Sequence, residues 1–404
     1  MNATVISKSS PEIAVPMPRT LAEHLRQVPD PRINRTKKHA LGDVLAVATC
    51  AILCGYTSYY DMSDFCKDYF VWLRKWLDLS GGVPSHDTFR RVLGLVDPKH
   101  FSNVFKLWIK SAWRSVEDDQ LALDGKALRG STDGLGSIQY IVNAWSVKRH
   151  LVLGQIKVQN KSNEIAAIPK LLPMLDICGA LVSIDAIGCQ TDIARRIRSQ
   201  GGHYLLALKD NNPRVREEME SFMTDAIARG EEHVEKHETV CKGHGRLEKR
   251  VCYVSRWLDW FGDHKKWKDL CCVVMVDATR TIGGVTGRTE RRLHLSSKAL
   301  TAEAALEATR AHRGVESLHW VLDMVLDEDR SRARDKNAAQ NLALIRRMVY
   351  NMLRAERDAQ ATENAVPRLK QLMRRAACKD DVRTHMLKVF GDLRNADTQT
   401  AHEN

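Results

Sequence analysis

No apolar stretch in this 404-residue chain is long enough to cross a bilayer, which takes about 20 residues. The longest candidate, VLAVATCAILCGY from Val44 to Tyr56, falls short of that and follows Asp43 directly, so it predicts a buried helix. The first residues, MNATVISKSSPEIAVPMPRT, lack the apolar core of a secretory signal. Ten cysteines are present without a single CxxC pair, and most lie inside apolar stretches, where a reduced thiol acts as a small hydrophobe. Cys241 and His244 have a zinc-like spacing but no second pair to complete a site. These absences argue against a membrane span, a disulfide scaffold and a structural zinc site, and they predict a cytoplasmic protein. Acids are also in deficit, 50 against 62 Lys and Arg, for a formal charge of +12. A surplus of that size favours a polyanion as partner, and nucleic acid more than a membrane surface.

The residues that are present divide the chain into six parts. Residues 1–18, with Pro11, Pro16 and Pro18, read as a loose leader. Residues 19–116 carry helical periodicity with basic and aromatic residues interleaved; Ser85 behind Pro84 is a natural N-cap. That region is read either as a scaffold or as a DNA-binding domain. From about 117 to 212 the pattern changes. QLALDGKAL, QYIVNAWSVK and LVLGQIKVQ predict three strands, DGLGS (133–137) separating the first two. Helix, strand, helix and strand then follow. Three meandering strands before alternating helices and strands predict an α/β fold, a mixed sheet in the ribonuclease H-like order. Residues 213–295 read as a β-rich insertion with a hairpin at KGHGR. Residues 296–357 are helical, and 358–404 form a basic helical tail.

In a chain short of acids, the place of each acid carries information. LALDGKALRG (121–130) ends an apolar run in Asp124, and ALVSIDAIG ends another in Asp185. Neighbouring parallel strands would bring both carboxylates to one edge of the sheet, where open α/β sheets place their sites. Two such carboxylates repel unless a cation neutralises them, and all-oxygen ligation suits Mg²⁺, with Mn²⁺ as a substitute. Lys126 and Arg129 would then meet phosphates. A third acid is expected from RAHRGVESLHWVLDMVLDEDRSR (310–332), read as one long helix with Glu316, His319, Trp320, Asp323 and Asp327 on one face. A solvated acidic face is the competing reading, but Trp320 and its apolar neighbours argue for partial burial. Glu316 is preferred as the ligand because Arg310, His312 and Arg313 precede it closely and would clamp a phosphodiester; Asp323 is the reserve. Lys209 is read as a phosphate contact or a solvated lysine. His244 and Arg246, at a hairpin turn flanked by Gly243 and Gly245, are read as DNA contacts. Trp257, Trp260 and Trp267 would stack on an unpaired base or pack in the core.

These residues carry a resemblance. LDGKALRGS, VSIDAIGCQ, YLLALKDNNP, HGRLEKR and the run from Arg310 through LHW and LD to EDRSR stand in order, and the chain from about residue 21 to 355 resembles transposases of the ISAs1 family, within the IS4-like group of DD-E transposases. The resemblance implies a ribonuclease H-like core that cuts and joins double-stranded DNA at transposon ends. It implies Asp124, Asp185 and Glu316 as catalytic ligands of a divalent metal; the chemistry of phosphoryl transfer suits two such ions, and acting on two ends at once predicts a homodimer on the DNA. A metal-dependent nuclease without joining, or an inactive DNA-binding repressor, remains the alternative. The chain departs from the family in having Arg313 before the catalytic Glu instead of an aromatic residue, and Ser317 after it instead of Asn. Asp323 stands where the wider group carries Lys. None of these departures removes a metal ligand.

Overall fold

A computed structural model describes residues 20–112, 117–132, 138–158, 164–243, 245–362 and 365–388. The first region is helical, as its periodicity predicts. Helix α1 (Leu21–Leu25) starts at a capping box: Thr20 Oγ1 accepts the Glu23 amide at 3.2 Å and the Glu23 carboxylate accepts the Thr20 amide at 2.8 Å. Helix α2 (Leu41–Leu53) is buried along its whole length. Its Asp43 stays satisfied there by the Asp78 amide at 3.1 Å and Arg26 at 3.4 Å. Helices α3 (Tyr59–Asp68), α4 (Phe70–Leu73), α5 (His86–Leu95) and α6 (Pro98–Ala112) complete the region, and Ser85 caps α5 by accepting the Thr88 amide. Among the described residues no helix is long and apolar enough to cross a membrane.

The sheet opens with an antiparallel meander of β1 (Gln120–Thr132), β2 (Ile138–Ser146) and β3 (Val152–Val158). The DGLGS step at 133–137 lies outside the described residues. Helix α7 (Glu164–Leu171) leads to β4 (Leu181–Ile184), and α8 (Thr191–Ser199) to β5 (His203–Leu208). Strand β4 runs parallel to both β1 and β5, which makes the order β3-β2-β1-β4-β5 the expected ribonuclease H-like arrangement.

After α9 (Pro213–Arg229), closed by Gly230 at φ +67°, come β6 (Val234–Gly243), β7 (Arg246–Ser255), β8 (Cys272–Ile282), β9 (Val285–Thr286) and β10 (Glu290–Ser296). These strands do not stand apart as a separate sheet. Strand β10 pairs antiparallel with β5, Leu293 opposite Leu208, so the core sheet continues through β8 and β7 to β6. An uncovered β5 would leave a row of backbone donors and acceptors at the edge, and β10 satisfies them.

Helices α10 (Ala302–His312), α11 (Val315–Met324), α12 (Lys336–Ala359) and α13 (Leu369–Cys378) follow the sheet. The stretch read as one helix over 310–332 is broken at Arg313–Gly314, where the Gly314 Cα lies so close to the Trp145 ring that a Cβ would stand 2.7 Å from it. Helix α11 ends at Met324, and Asp327 takes a left-handed φ of +51°, so Asp327 leaves the face that Glu316 and Asp323 share. Trp320 is 60% exposed and not partly buried as expected, because Val315, Leu318 and Leu322 supply the buried face of α11.

Helix α12 joins sheet to helices. Asn351 pairs its side-chain amide with both backbone groups of Val152 on β3, each at 2.8 Å, and Asn341 donates to the carbonyls of Leu93 and Val96. The tail folds back on the helical region: Arg383 is fully buried, its guanidinium 4.2 Å from the Tyr69 ring and 4.4 Å from that of Trp72. One apolar cluster runs from Leu25 and Phe65 through Val182 to Leu372.

Candidate active site

Strand register places the two aspartates. Leu123 of β1 pairs with Ile184 of β4, and the next residue on each strand is an acid, so Asp124 and Asp185 leave the sheet side by side at its carboxyl edge. Ile184 pairs in turn with Leu206 of β5, and Lys209 emerges just past that strand to place Nζ 3.2 Å from Asp185 Oδ1. Arg310, His312 and Arg313 sit at the end of α10, and Glu316 in the first turn of α11. All seven of these side chains line one cavity of about 660 Å³. Its far wall, which sequence reasoning missed, comes from β7, β8, β10 and α9 and includes Arg216, Arg250, Arg291 and Arg292. Nothing local marks those arginines; continuation of the sheet past β5 brings them there.

The electrostatics are those of crowded acids. Burial pushes the Asp124 carboxyl up to about 7, and Glu164, Asp185 and Glu316 add to the push; the Gly125 amide, donating to Oδ1 at 2.9 Å, opposes it. Burial would raise Asp185 too, but the Ala186 amide, Lys209 and His312 outweigh it and hold that carboxyl below its ordinary value. The His312 imidazole is lowered by burial, partly offset by Asp185 and Glu316, and its Nδ1 lies 2.9 Å from Ser183 Oγ. His319 is pushed down to about 4 by burial, with Lys126 and Arg347 adding to the effect. Its Nδ1 lies 3.8 Å from Asp124 Oδ2, so at neutral pH this is the approach of an uncharged ring and not an ion pair.

Glu164, at the start of α7, is a second residue that sequence reasoning missed. It is 5% exposed, and its Oε1 lies 2.2 Å from where a Cβ on residue 125 would stand. This explains the glycine after Asp124: a carboxylate occupies the space that a side chain would need. Gly125→Ala is expected to destabilise the protein by about 1–3 kcal/mol through overpacking. Adding Glu164→Ala should recover part of that loss in thermal denaturation; if the double variant is less stable than Gly125→Ala alone, the steric explanation is wrong.

Other expected site residues lie elsewhere. Lys126 does not face the cavity. It is 5% exposed, with Nζ 2.6 Å from Asp323, 3.3 Å from Asp329 and 3.4 Å from Glu328, because a buried ammonium needs partners and these acids provide them. The reserve acid Asp323 is thereby engaged as well. Arg129 is exposed, 3.9 Å from Asp329, outside the cavity. Arg246 lies on the β6–β7 hairpin, 3.1 Å from Glu248, and His244 lies outside the described residues. Trp267 is buried, Trp260 stacks on Phe222 with ring centroids 4.3 Å apart, and Trp257 remains 44% exposed.

A divalent cation suits this donor set in its chemistry. Asp124, Asp185 and Glu316 offer only oxygen, and although burial is the larger cause of the raised Asp124, the neighbouring carboxylates add to it, a repulsion that a cation would relieve. As the described side chains stand, no three His, Cys, Asp or Glu residues converge closely enough to hold a metal ion. Glu316 is exposed.

Comparison with known proteins decides the family. Residues 118–352 match the family described as "Transposase DDE domain", and residues 22–109 match the family described as "DDE_Tnp_1-associated". The chain belongs to the DDE transposases. The "H repeat-associated putative transposase YhhI" of Escherichia coli (strain K12) is 36% identical over 367 residues, which cover 89% of this chain and 95% of that protein. The "Putative transposase YncI" of Escherichia coli O157:H7 is 35% identical, covering 84% of this chain and 88% of that one. A third relative, described as "Uncharacterized protein in dhlA 3'region" of Xanthobacter autotrophicus, is 40% identical over 67% of this chain and 92% of its own length. The two matched segments of this transposase coincide with its N-terminal helices and with the sheet and helices that build the cavity.

Proposed function

We propose that this transposase serves an insertion sequence of the ISAs1 type, within the IS4-like group, and that it cuts and joins double-stranded DNA at the element's terminal inverted repeats. The observation that supports the reading best is the cavity itself, which Asp124, Asp185 and Glu316 line together opposite a wall that includes Arg216, Arg250, Arg291 and Arg292. Mg²⁺ is the expected ion, with Mn²⁺ as substitute, held by Asp124, Asp185 and Glu316. When bound, it supplies Lewis-acid stabilisation of charge on the attacking and leaving oxygens of an in-line displacement.

The chain's own residues do the rest. Lys209, Arg310 and Arg313 present positive charge where the non-bridging oxygens of a phosphodiester would lie, which orients the phosphate and stabilises the charge that develops on it. His312, kept mainly uncharged by burial and oriented by Ser183, lines the same cavity as a neutral hydrogen-bonding group for the phosphate. Arg129 and Arg246 are exposed and meet the DNA backbone away from the reacting phosphate, with His244 beside Arg246 in the sequence. Acting on two ends requires two active sites, so the DNA-bound form is a homodimer.

The test is a supercoiled plasmid carrying the DNA that flanks the gene, incubated with purified protein and Mg²⁺ or Mn²⁺, with breaks mapped to the nucleotide. Breaks at the element's ends together with joined products support the proposal. Metal-dependent cutting that never yields joined products would make the protein a nuclease, and binding without any cutting would leave a DNA-binding repressor.

A further inference from the structure

The cluster around Lys126 lies directly behind the cavity and plays no part in the chemistry described so far. Lys126 follows Asp124 by two residues, so both side chains leave the same face of β1, roughly 6.6 Å apart along the strand. Asp323 follows Glu316 by seven residues, which returns to nearly the same side of α11 about 10.5 Å further on. The strand and the helix therefore meet at two rungs. At one, Lys126 Nζ donates to Asp323 Oδ1 at 2.6 Å. At the other, Asp124 and Glu316 line the same cavity, near enough for Glu316 to add to the rise of the Asp124 carboxyl. Between them, His319 brings Nδ1 within 3.8 Å of Asp124.

The first rung is anchored well beyond the pair. Asp329 Oδ1 accepts from Lys126 at 3.3 Å and lies the same distance from the Arg129 amide on β1. Glu328, 3.4 Å from Lys126, is also held by Arg347 of α12, which donates to Asn143 Oδ1 on β2 at 3.0 Å. Two strands, the turn after α11 and the longest helix thus converge on one buried ammonium. Without it, Asp323 would lose its ion-pair partner, while Glu328 would keep Arg347 and Asp329 the exposed Arg129, and the repulsion among the three acids would push the end of α11 off β1.

We propose that Lys126 is a positioning residue: its bond to Asp323, braced by Glu328 and Asp329, holds α11 in register over β1 so that Glu316 stands opposite Asp124. This rests on the reading of Asp124 and Glu316 as metal ligands. It assigns Lys126 a task other than phosphate contact. It also accounts for an acid at position 323, since a lysine there would meet Lys126 head-on.

The experiment compares Lys126→Met, Asp323→Asn and the double variant with the native chain, and it has two independent readouts. Hydrogen exchange of α11 amides in EDTA reports how firmly the helix is held, whatever the protein's activity. The Mn²⁺ concentration giving half-maximal thermal stabilisation reports the ligand set. Residues that orient metal ligands from behind typically change affinity by about 10–100-fold. Each single variant is therefore expected to exchange faster in α11 and to need about tenfold more Mn²⁺, with the double variant no worse than the worse single. Circular dichroism and DNA binding should stay native. If Lys126→Met does not fold, Asp323→Asn decides alone, since its carboxylate is 29% exposed and its shape is kept. Native α11 exchange in the variants, or losses that multiply in the double variant, would overturn the clamp. A native chain that shows no Mn²⁺ stabilisation overturns the ligand reading instead, and the exchange data still decide whether the clamp exists.

Discussion

Asp124→Asn is expected to lower metal-dependent strand cleavage by on the order of 10³-fold or more, because groups that act as one catalytic unit fail together when one is removed. The same substitution is expected to stabilise the metal-free protein at neutral pH. The folded Asp124 carboxyl lies at about 7 and an ordinary one near 3.8, so the folded state binds this proton more tightly than the unfolded state does. The sign follows. The destabilisation is absent below the unfolded value, grows as pH rises between the two values, and is complete above the folded one. Its size is on the order of 2–4 kcal/mol, allowing for the part of the side chain that water still reaches. Thermal denaturation in EDTA at about pH 5 and about pH 8 should show the variant gaining mainly at the higher value. Added Mg²⁺ should then stabilise the native chain and not the variant. A variant that still cuts DNA, or that loses stability at about pH 8, would remove Asp124 from its assigned place.

Arg347→Ala carries the largest expected loss of stability. Arg347 and Glu328 are 0% and 1% exposed, and the guanidinium donates to both carboxylate oxygens as well as to Asn143 and the Ala343 carbonyl. Removing one member of a buried pair leaves the other charge under-compensated, here Glu328 with its bidentate partner gone and Lys126 at 3.4 Å, a loss of about 3–5 kcal/mol, whereas exchanging both for apolar residues is often close to neutral. Urea denaturation should therefore place Arg347→Met with Glu328→Met well above Arg347→Ala; equal midpoints would mean that the pair contributes little. Burial would raise Glu328, yet Arg347 and Lys126 outweigh it and keep the carboxyl below its ordinary range. The stability it contributes is present above the unfolded value of about 4.5 and is lost as pH falls through the folded one. Acid thus relieves the cavity carboxylate while it weakens the network behind it.

Both groups begin from short sequence features that were legible to different extents. LALD and VSID showed two strands ending in acids, and strand alternation with parallel pairing was enough to bring Asp124 and Asp185 to one edge. That Glu316 would share a cavity with the two aspartates was legible from the basic residues before it, although the helix was drawn too long. Gly314 breaks it because of Trp145, far away in sequence, and local periodicity carries no trace of such a contact. Lys126 misled for a related reason. Next to an acid it looks like a phosphate ligand, and only packing against α11 and the turn after it reveals three carboxylates around its ammonium.

By itself, then, the sequence determined the order of helices and strands, the meander followed by parallel strands, and the strand-end aspartates. These depend on residue periodicity and on chemistry within a few residues, which the linear text contains in full. The tertiary structure alone decided that β10 extends the sheet from β5, that Glu164 fills the space over Gly125, that Trp320 faces outward and Lys126 inward, and that arginines from the later strands wall the cavity. Each of those depends on which distant segments compete for the same space and the same charge, and that competition is resolved only when the whole chain packs at once.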